Sequence, residues 1–262
     1  MDKDLLEREL APFLDVSAKE EVKTIAVENI LGLTGSDDGI TFLGDSEKLL
    51  MGIVSLTRDE RKDIKEMMYK ALINLTAVEN VSWTIMNLTD QEDKFVYWLE
   101  QALSPECKFA DLICKLISNI TRWEKCAKLV GDIVLKNTSV GIDKIVIALC
   151  NLVYNEHADL HYLAAILSNL SQYREIRKQI MDKEQCIIQR LLPFTEFKQS
   201  DIRRAGIIGT LKNCCFDTGI SFVFNWYSYV QLSFCRIFLQ ANASTTCYIQ
   251  SLIKILYIIR YD

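Results

Sequence analysis

Two stretches decide the fold of this chain: residues 161–172, HYLAAILSNLSQ, and residues 202–217, IRRAGIIGTLKNCCFD. Each is an apolar run of helical character with an Asn near its C-terminal end, Asn169 in the first and Asn213 in the second. The first run is apolar on nearly every side, and a helix of that kind must be covered by neighbours over most of its surface. We therefore expect these helices to stack on similar helices elsewhere in the chain.

The same ending recurs along the sequence. The equivalent anchor positions are Gly32, Asn74, Asn119, Asn169 and Asn213, separated by steps of 42, 45, 50 and 44 residues. Periods in this range are typical of armadillo and HEAT units, which have two or three helices each and bury their faces by stacking. The sequence thus predicts an all-α, armadillo/HEAT-like, right-handed solenoid of about five repeats.

The composition indicates a helical protein of the cytoplasm. Half of the 262 residues are hydrophobic, and only 10 are Gly and 3 are Pro. A net charge of −5 argues against a broad nucleic-acid surface. The acidic first residues lack the apolar core of a secretion signal, and the 9 cysteines have no spacing suited to zinc. We therefore expect reduced thiols, no metal and a cytoplasmic location.

Local signals predict where several helices begin. Ser17 and Thr57 each open a capping box, a hydroxyl residue followed three positions later by Glu. Asp159 and Ser200 are predicted to cap the two helices quoted above. Apolar spacing further predicts single helices over residues 42–56 and 142–153.

Beyond these patterns, three stretches resemble the HGH homologue family, also called brain protein 16-like. They are HYLAAILSNLSQ, CIIQRLLPFTEF at 186–197 and IRRAGIIGTLKNCCFD, and the resemblance covers about residues 5–217. It implies an armadillo-type cytosolic chaperone that binds translation elongation factor 2 and works with the cytosolic chaperonin. The two partners are implied by the resemblance alone.

After residue 217 the chain departs from that family. We divide it into an armadillo-type repeat domain, 1–217, and an aberrant tail, 218–262, which holds 10 of the 25 aromatic residues. Residues 219–240 are long enough to cross a bilayer, but Arg236 interrupts them, so we expect no membrane span. We expect a monomer whose tail is not part of the repeat array.

No catalytic constellation is present in the sequence. His157 and His161 lie beside one helix start, where a capping or core-edge role is expected. There is no glycine-rich loop that would cradle a phosphate. The sequence therefore predicts a binding protein without a cofactor, and not an enzyme.

The recurring asparagines are the best candidates for a protein-binding site. Asn disfavours helix interiors, and four at matching positions need an explanation. One interpretation is a row of amides along a groove, each bonding bidentately to an extended peptide backbone. The other is that each amide caps a neighbouring loop or helix end within the solenoid. The pattern leaves both open.

Four further residues complete the predicted protein-binding surface: Lys70, Lys115, Arg203 and Arg204. Lys70 and Lys115 lie one turn before two of the asparagines, so they favour an acidic or neutral client segment. Arg203 and Arg204 are a solvated face, a structural pair or a client contact. Two glycines of the same helix, Gly206 and Gly209, favour close helix packing over room for a ligand. A generic armadillo scaffold for extended peptides is the alternative to a chaperone.

Overall fold

The computed structural model describes residues 3–88 and 91–215 of the chain, and all of its regular elements in these ranges are helices. The α-helices are α1 Lys3–Leu10, α2 Glu20–Leu33, α3 Asp37–Gly44, α4 Glu47–Ser55, α5 Lys62–Leu75, α6 Glu79–Asn87, α7 Gln91–Ala102, α8 Ala110–Thr121, α9 Glu124–Lys136, α10 Ile142–Cys150, α11 Tyr162–Leu170, α12 Arg174–Ile180, α13 Ile187–Leu191 and α14 Asp201–Cys215. Short 3₁₀ turns follow α1, α4, α9 and α13.

These helices repeat in groups of three. After the leading pair α1–α2, the units are α3–α5, α6–α8, α9–α11 and α12–α14, and each ends in a helix that carries one anchor residue. Each of these last helices, here called the third helices, packs on the third helix of the next unit. The predicted all-α armadillo-type solenoid of about five units is confirmed.

Helix α11 shows why the units must stack. Its aliphatic side chains from Leu163 to Leu170 are almost all removed from solvent, and Leu163, Ile166 and Leu167 have no exposed surface at all. Each fully buried aliphatic side chain stabilises the fold by about 1.5–3 kcal/mol. Helix α8 covers one side of α11 and α14 covers the other, as the apolar sequence of α11 predicts.

The two glycines of α14 permit its close approach to α11. A Cβ atom on Gly206 would lie 2.4 Å from the carbonyl carbon of Ala164, and one on Gly209 would lie 2.4 Å from Ser168 Oγ. Backbone cannot move aside as a side chain can, so Gly206 is the stricter of the two positions. The packing interpretation of these glycines accounts for both contacts.

Only one of the predicted caps forms. Ser200 Oγ accepts a hydrogen bond from the Arg203 amide at 3.2 Å and so caps α14. The capping box at Ser17 is wrong, because Ser17 bonds to Asp15 while α2 begins later, at Glu20, without a side-chain cap.

The box at Thr57 is wrong as well. Its hydroxyl donates to the Val54 carbonyl at 2.7 Å, and α5 begins only at Lys62. Asp159 does not cap α11, which starts at Tyr162 with no side-chain cap. In each case the hydroxyl or carboxylate lies several residues before the first turn, too early to reach its amides.

Two helix bounds also differ from the prediction. Residues 42–56 are divided between α3 and α4, because Ser46 interrupts them and caps Leu49 N at 3.2 Å. Helix α10 ends at Cys150, so the apolar residues Leu152 and Val153 belong to the following loop. The predicted tail and its candidate span, 219–240, lie outside the described residues. Within the described part, no helix is both long and apolar enough to cross a bilayer.

Candidate functional site

The four anchor asparagines bond one unit of the solenoid to the next. Asn119 Nδ2 donates to the Ile73 carbonyl at 2.9 Å, and Asn74 Nδ2 donates to Thr34 Oγ1 at 3.0 Å. Every acceptor of this kind is a hydroxyl or carbonyl oxygen near the C-terminal end of the preceding anchor-bearing helix. The four amides therefore lie along one continuous line across the stack, which we call the asparagine ladder: Asn74, Asn119, Asn169 and Asn213.

The last two steps of the ladder carry two hydrogen bonds each. Asn169 Nδ2 donates to Ser118 O and to Thr121 Oγ1, both at 3.1 Å. Asn213 Nδ2 donates to Ser168 O at 3.2 Å and to Ser171 Oγ at 2.9 Å. In these two steps, the hydroxyl residue two positions after one Asn thus accepts a hydrogen bond from the Asn of the next unit.

This relay accounts for the hydroxyl residue in two of the Asn-x-Ser/Thr sequences, those that end at Thr121 and Ser171. Thr34, Thr121 and Ser171 each donate their hydroxyl to a carbonyl of their own helix, at 2.7, 2.8 and 2.7 Å. Their oxygen atoms remain available as acceptors and take the next asparagine. The hydroxyl that ends one helix therefore orients the amide of the following unit, a role that the sequence reasoning missed although the residue itself was in the motif.

Of the two interpretations of the ladder, capping within the solenoid accounts for every amide nitrogen. Bidentate binding of a peptide by the same amides stays a prediction, because each Nδ2 carries two hydrogens and Asn74 and Asn119 donate one bond each. No donor in the described part of the chain bonds the Oδ1 atoms, and Asn74 is exposed while the other three are half-buried. The ladder thus offers a row of hydrogen-bond acceptors, with one further N–H donor at Asn74 and one at Asn119.

A second line of side chains lies beside the ladder, two turns before the anchor residue on α2, α5, α8 and α11. Ile25, Met67, Leu112 and Tyr162 each lie seven residues before an anchor, and this spacing places both on one helix face. Ile25 is 60% exposed, and the other three are half-buried. We call these four residues the apolar row. The sequence signal was the constant offset of seven from each anchor.

The two lysines of the predicted surface differ from each other. Lys70 Nζ lies 2.7 Å from Glu66 Oε1, one turn away on α5, so its charge is paired. Lys115 is exposed, and no carboxylate of the described residues pairs with it. An ion pair exposed in this way contributes little to stability, about 0.3–0.5 kcal/mol. The positive charge expected beside the ladder is therefore concentrated at Lys115.

Arg203 is not a surface residue, which corrects its assignment as a client contact. The residue is 1% exposed, and its guanidinium carbon lies beside the neighbouring rings of Phe194 and Phe197, at 5.7 and 5.2 Å from the two centroids. The guanidinium donates to Leu149 O at 2.8 Å and to Asp159 O. Arg203 therefore joins α14 to the preceding unit. Its long apolar stem and stacking guanidinium make this burial possible.

Arg204 remains partly accessible, but its charge is already compensated. Its Nη2 lies 2.7 Å from Asp201 Oδ1, and its Nη1 donates to the Phe197 carbonyl at 3.1 Å. Any partner would have to compete with both contacts. All eight predicted binding residues lie on third helices, but Arg203 is buried against the preceding unit and Arg204 is paired with Asp201.

The shifted pKa values of the described residues include those of His161 and several thiols. Burial, with a contribution from the nearby Arg203 charge, lowers the pKa of His161, whose Nδ1 is buried without a hydrogen bond in the described part. Burial raises the pKa of the Cys126 and Cys215 thiols to about 11, which disfavours a reactive thiolate. Among the described residues no group of three or more His, Cys, Asp or Glu could hold a metal ion.

Comparison with known proteins gives the context of this geometry. A family model described as a domain of unknown function, DUF383, matches residues 101–222. The chain is 41% identical over 210 residues to Protein HGH1 homolog of Danio rerio, covering 80% of this chain and 55% of the relative. It is 36% identical over 211 residues to the Mus musculus protein of that name, with 80% and 53% covered. The Homo sapiens protein is 34% identical over 216 residues, with 79% and 53% covered.

The chain thus spans little more than half the length of the curated relatives it matches. Two crystal structures of engineered proteins from the Northeast Structural Genomics Consortium share its fold. One has a TM-score of 0.62 at 15% identity, covering 79% of this chain and 47% of its own. The other has a TM-score of 0.61 at 14% identity, covering 87% and 94%. The resemblance inferred from the sequence is confirmed.

Proposed function

Because this chain belongs to the HGH homologue family over about four fifths of its length, we propose that it is a cytoplasmic protein-binding solenoid that assists the folding of translation elongation factor 2 together with the cytosolic chaperonin. The family resemblance supports the client and the chaperonin. The asparagine ladder supports the mode of binding. The missing catalytic geometry in the described residues is consistent with a binding protein.

The single observation that carries the proposal is the pairing of the ladder with the apolar row. The Oδ1 atoms would accept backbone N–H groups of an extended client segment, and the apolar row would receive its side chains. Packed helices lie about 8–10 Å apart, and an extended chain rises about 3.3 Å per residue. One client residue in about three would therefore meet each step of the ladder.

The apolar row gives the sharpest test, because its side chains keep part of their surface in solvent. Leu112→Ser with Tyr162→Ser should weaken binding of elongation factor 2 by at least about tenfold, through the loss of buried apolar area. Met51→Ser, on α4 and 47% exposed, is the matched control and should bind normally. Isothermal titration would measure the affinities of the unchanged chain, the double variant and the control. Equal affinities would overturn the ladder face as the binding site.

Salt gives a second test of the same face. If Lys115 contacts an acidic part of the client, affinity should fall as salt screens the pair, and Lys115→Gln should remove part of that dependence. Lys70→Gln should change it less, since Lys70 is already paired with Glu66. Affinity that does not vary from low to high salt would argue against both lysines as contacts.

A scaffold that only holds extended peptides is the alternative function, and refolding distinguishes it from a chaperone. Denatured elongation factor 2 would be diluted into buffer with the chain, with the chaperonin, or with both. A chaperone raises the yield of active factor beyond that of the chaperonin alone. A scaffold leaves the yield unchanged even where it binds the factor. A parallel sample with the longer relative would show whether this half-length sequence suffices.

A further inference from the structure

One step of the repeat is longer than the others, and the added residues form a loop. The step from Asn119 to Asn169 is 50 residues, against 42, 45 and 44 elsewhere. Helix α10 ends at Cys150 and α11 begins at Tyr162, so we call residues 151–161 the insertion loop. Insertions in repeat proteins map to loops on one face, often the binding face. We propose that the insertion loop docks a protein segment that carries an apolar anchor flanked by Lys or Arg.

The tip of the insertion loop displays aliphatic side chains to solvent. Val153 is 84% exposed, and Leu152 is 56% exposed. Isolated exposed aliphatic residues are common, but two adjacent ones at the tip of an anchored loop favour an interaction site. An apolar anchor of a partner would gain its binding energy by covering Leu152 and Val153.

The loop that carries this tip is held in place from beneath. Tyr154 donates its hydroxyl to the Leu103 carbonyl at 2.7 Å. Asn155 Nδ2 donates to the Ser104 and Cys107 carbonyls, both at 3.0 Å. These acceptors belong to the turn before α8, so the insertion loop rests on the preceding unit. Docking on it would cost little conformational entropy, because the backbone is already ordered.

The far end of the loop is fixed as tightly. Both carboxylate oxygens of Asp111 accept backbone amides, from Leu160 at 2.8 Å and from Asp159 at 3.2 Å. Leu160 is buried with a φ of 57°, a left-handed conformation that a leucine adopts only where its surroundings impose it. The fold therefore expends free energy to hold this loop in one shape.

The charge around the tip defines the chemistry of the partner. Within residues 151–161 the charged side chains are Glu156 and Asp159, both exposed, and there is no Lys or Arg. The supporting turn adds Glu106 and one amine, Lys108, both exposed. The guanidinium of Arg203 lies beneath Asp159 but is buried. The charged side chains of the loop itself are thus both carboxylates, which favours a basic segment and disfavours a second copy of this chain, whose net charge is −5.

The test uses two synthetic amphipathic peptides with the same leucine pattern, one with Lys and one with Glu at the polar positions. Fluorescence anisotropy would measure their binding to the full chain. We expect the Lys peptide to bind and the Glu peptide to bind at least about tenfold more weakly. Leu152→Ser with Val153→Ser should weaken the Lys peptide at least about tenfold. Met51→Ser should leave it unchanged.

A second variant separates charge from apolar contact. Glu156→Lys should weaken the Lys peptide and reduce the salt dependence of its binding, while circular dichroism shows an unchanged melting temperature. Binding of the Lys peptide that is unaffected by the Leu152 and Val153 substitutions would overturn the proposal. Equal affinity for both peptides would overturn the basic partner. Self-association in sedimentation experiments that the same substitutions abolish would assign the tip to a second copy instead.

Discussion

Lys23 in α2 and Arg203 in α14 are both buried cations, yet different groups stabilise their charges. Lys23 Nζ lies 2.5 Å from Asp59 Oδ2 and donates to Val16 O at 3.0 Å, and both charged side chains are at most 5% exposed. Arg203 meets no carboxylate within bonding distance in the described part. Its guanidinium donates to two backbone carbonyls and lies beside two phenyl rings.

The two cations differ in which groups would lose a partner if the cation were removed by substitution. Without Lys23, the Asp59 carboxylate would remain buried without its counter-charge, and a single buried charge is far costlier than a neutral polar group. Without Arg203, only two carbonyl groups would lose their donors. The leading pair α1–α2 is therefore joined to the unit α3–α5 by a pair of charges, and the last unit is joined to its predecessor by backbone carbonyls and aromatic rings.

The largest expected effect follows from the ion pair. Lys23→Met should lower the free energy of unfolding by about 3–5 kcal/mol, because Asp59 would stay charged and buried. Urea unfolding followed by circular dichroism would measure it. Adding Asp59→Leu should recover most of the loss, since an apolar pair of similar volume replaces both charges. A loss below about 1 kcal/mol for Lys23→Met would contradict the comparison.

Arg203→Met is expected to cost less, about 2–3 kcal/mol, since two carbonyls would be left without donors and no charge would be stranded. Arg204→Met is the matched control from the next position, and its exposed pair with Asp201 is worth at most about 1 kcal/mol. The same urea experiment applies. If Arg203→Met destabilised the chain more than Lys23→Met, the proposed contrast between charges and dipoles would be wrong.

The ladder sharpens the comparison on a smaller scale. Asn169→Ala removes two hydrogen bonds from a half-buried amide and should cost about 1–2 kcal/mol. Asn74→Ala removes a single bond from an exposed amide and should cost less than about 1 kcal/mol. Both variants lie at the same position of their units, so each controls for the other. Equal losses would show that the second bond contributes nothing.

The repeat could be predicted from the sequence because each unit needs the same amide at the same place. The period of the anchors and the apolar character of α11 could be read from the sequence for that reason. The hydrogen bonds of the ladder nitrogens could not be predicted, because an Asn residue alone does not tell which of its atoms a neighbour engages. Their acceptors, such as Ile73 O and Thr121 Oγ1, lie one whole unit earlier in the chain.

Arg203 and the insertion loop were missed for related reasons. An arginine is expected at the surface unless a specific partner buries it, and its acceptors here are backbone carbonyls that leave no mark in the sequence. The apolar pair Leu152 and Val153 continued the pattern of α10, so local periodicity extended that helix into the loop. Only the step of 50 residues indicated an insertion.

The smallest expected effect is a pH dependence that reports the Arg203 charge. Burial first, and the nearby guanidinium second, lower the pKa of His161 in the folded chain. The unfolded chain, with the ordinary pKa near 6.5, then binds more protons as the pH falls through that value, so stability decreases toward acid. Arg203→Met should raise the pKa of His161 in an NMR titration, with His157→Gln used to assign the resonance. Lys23→Met, at the other end of the repeats, should leave the pKa of His161 unchanged. If both variants shifted this pKa equally, loosened packing, and not the Arg203 charge, would be its cause.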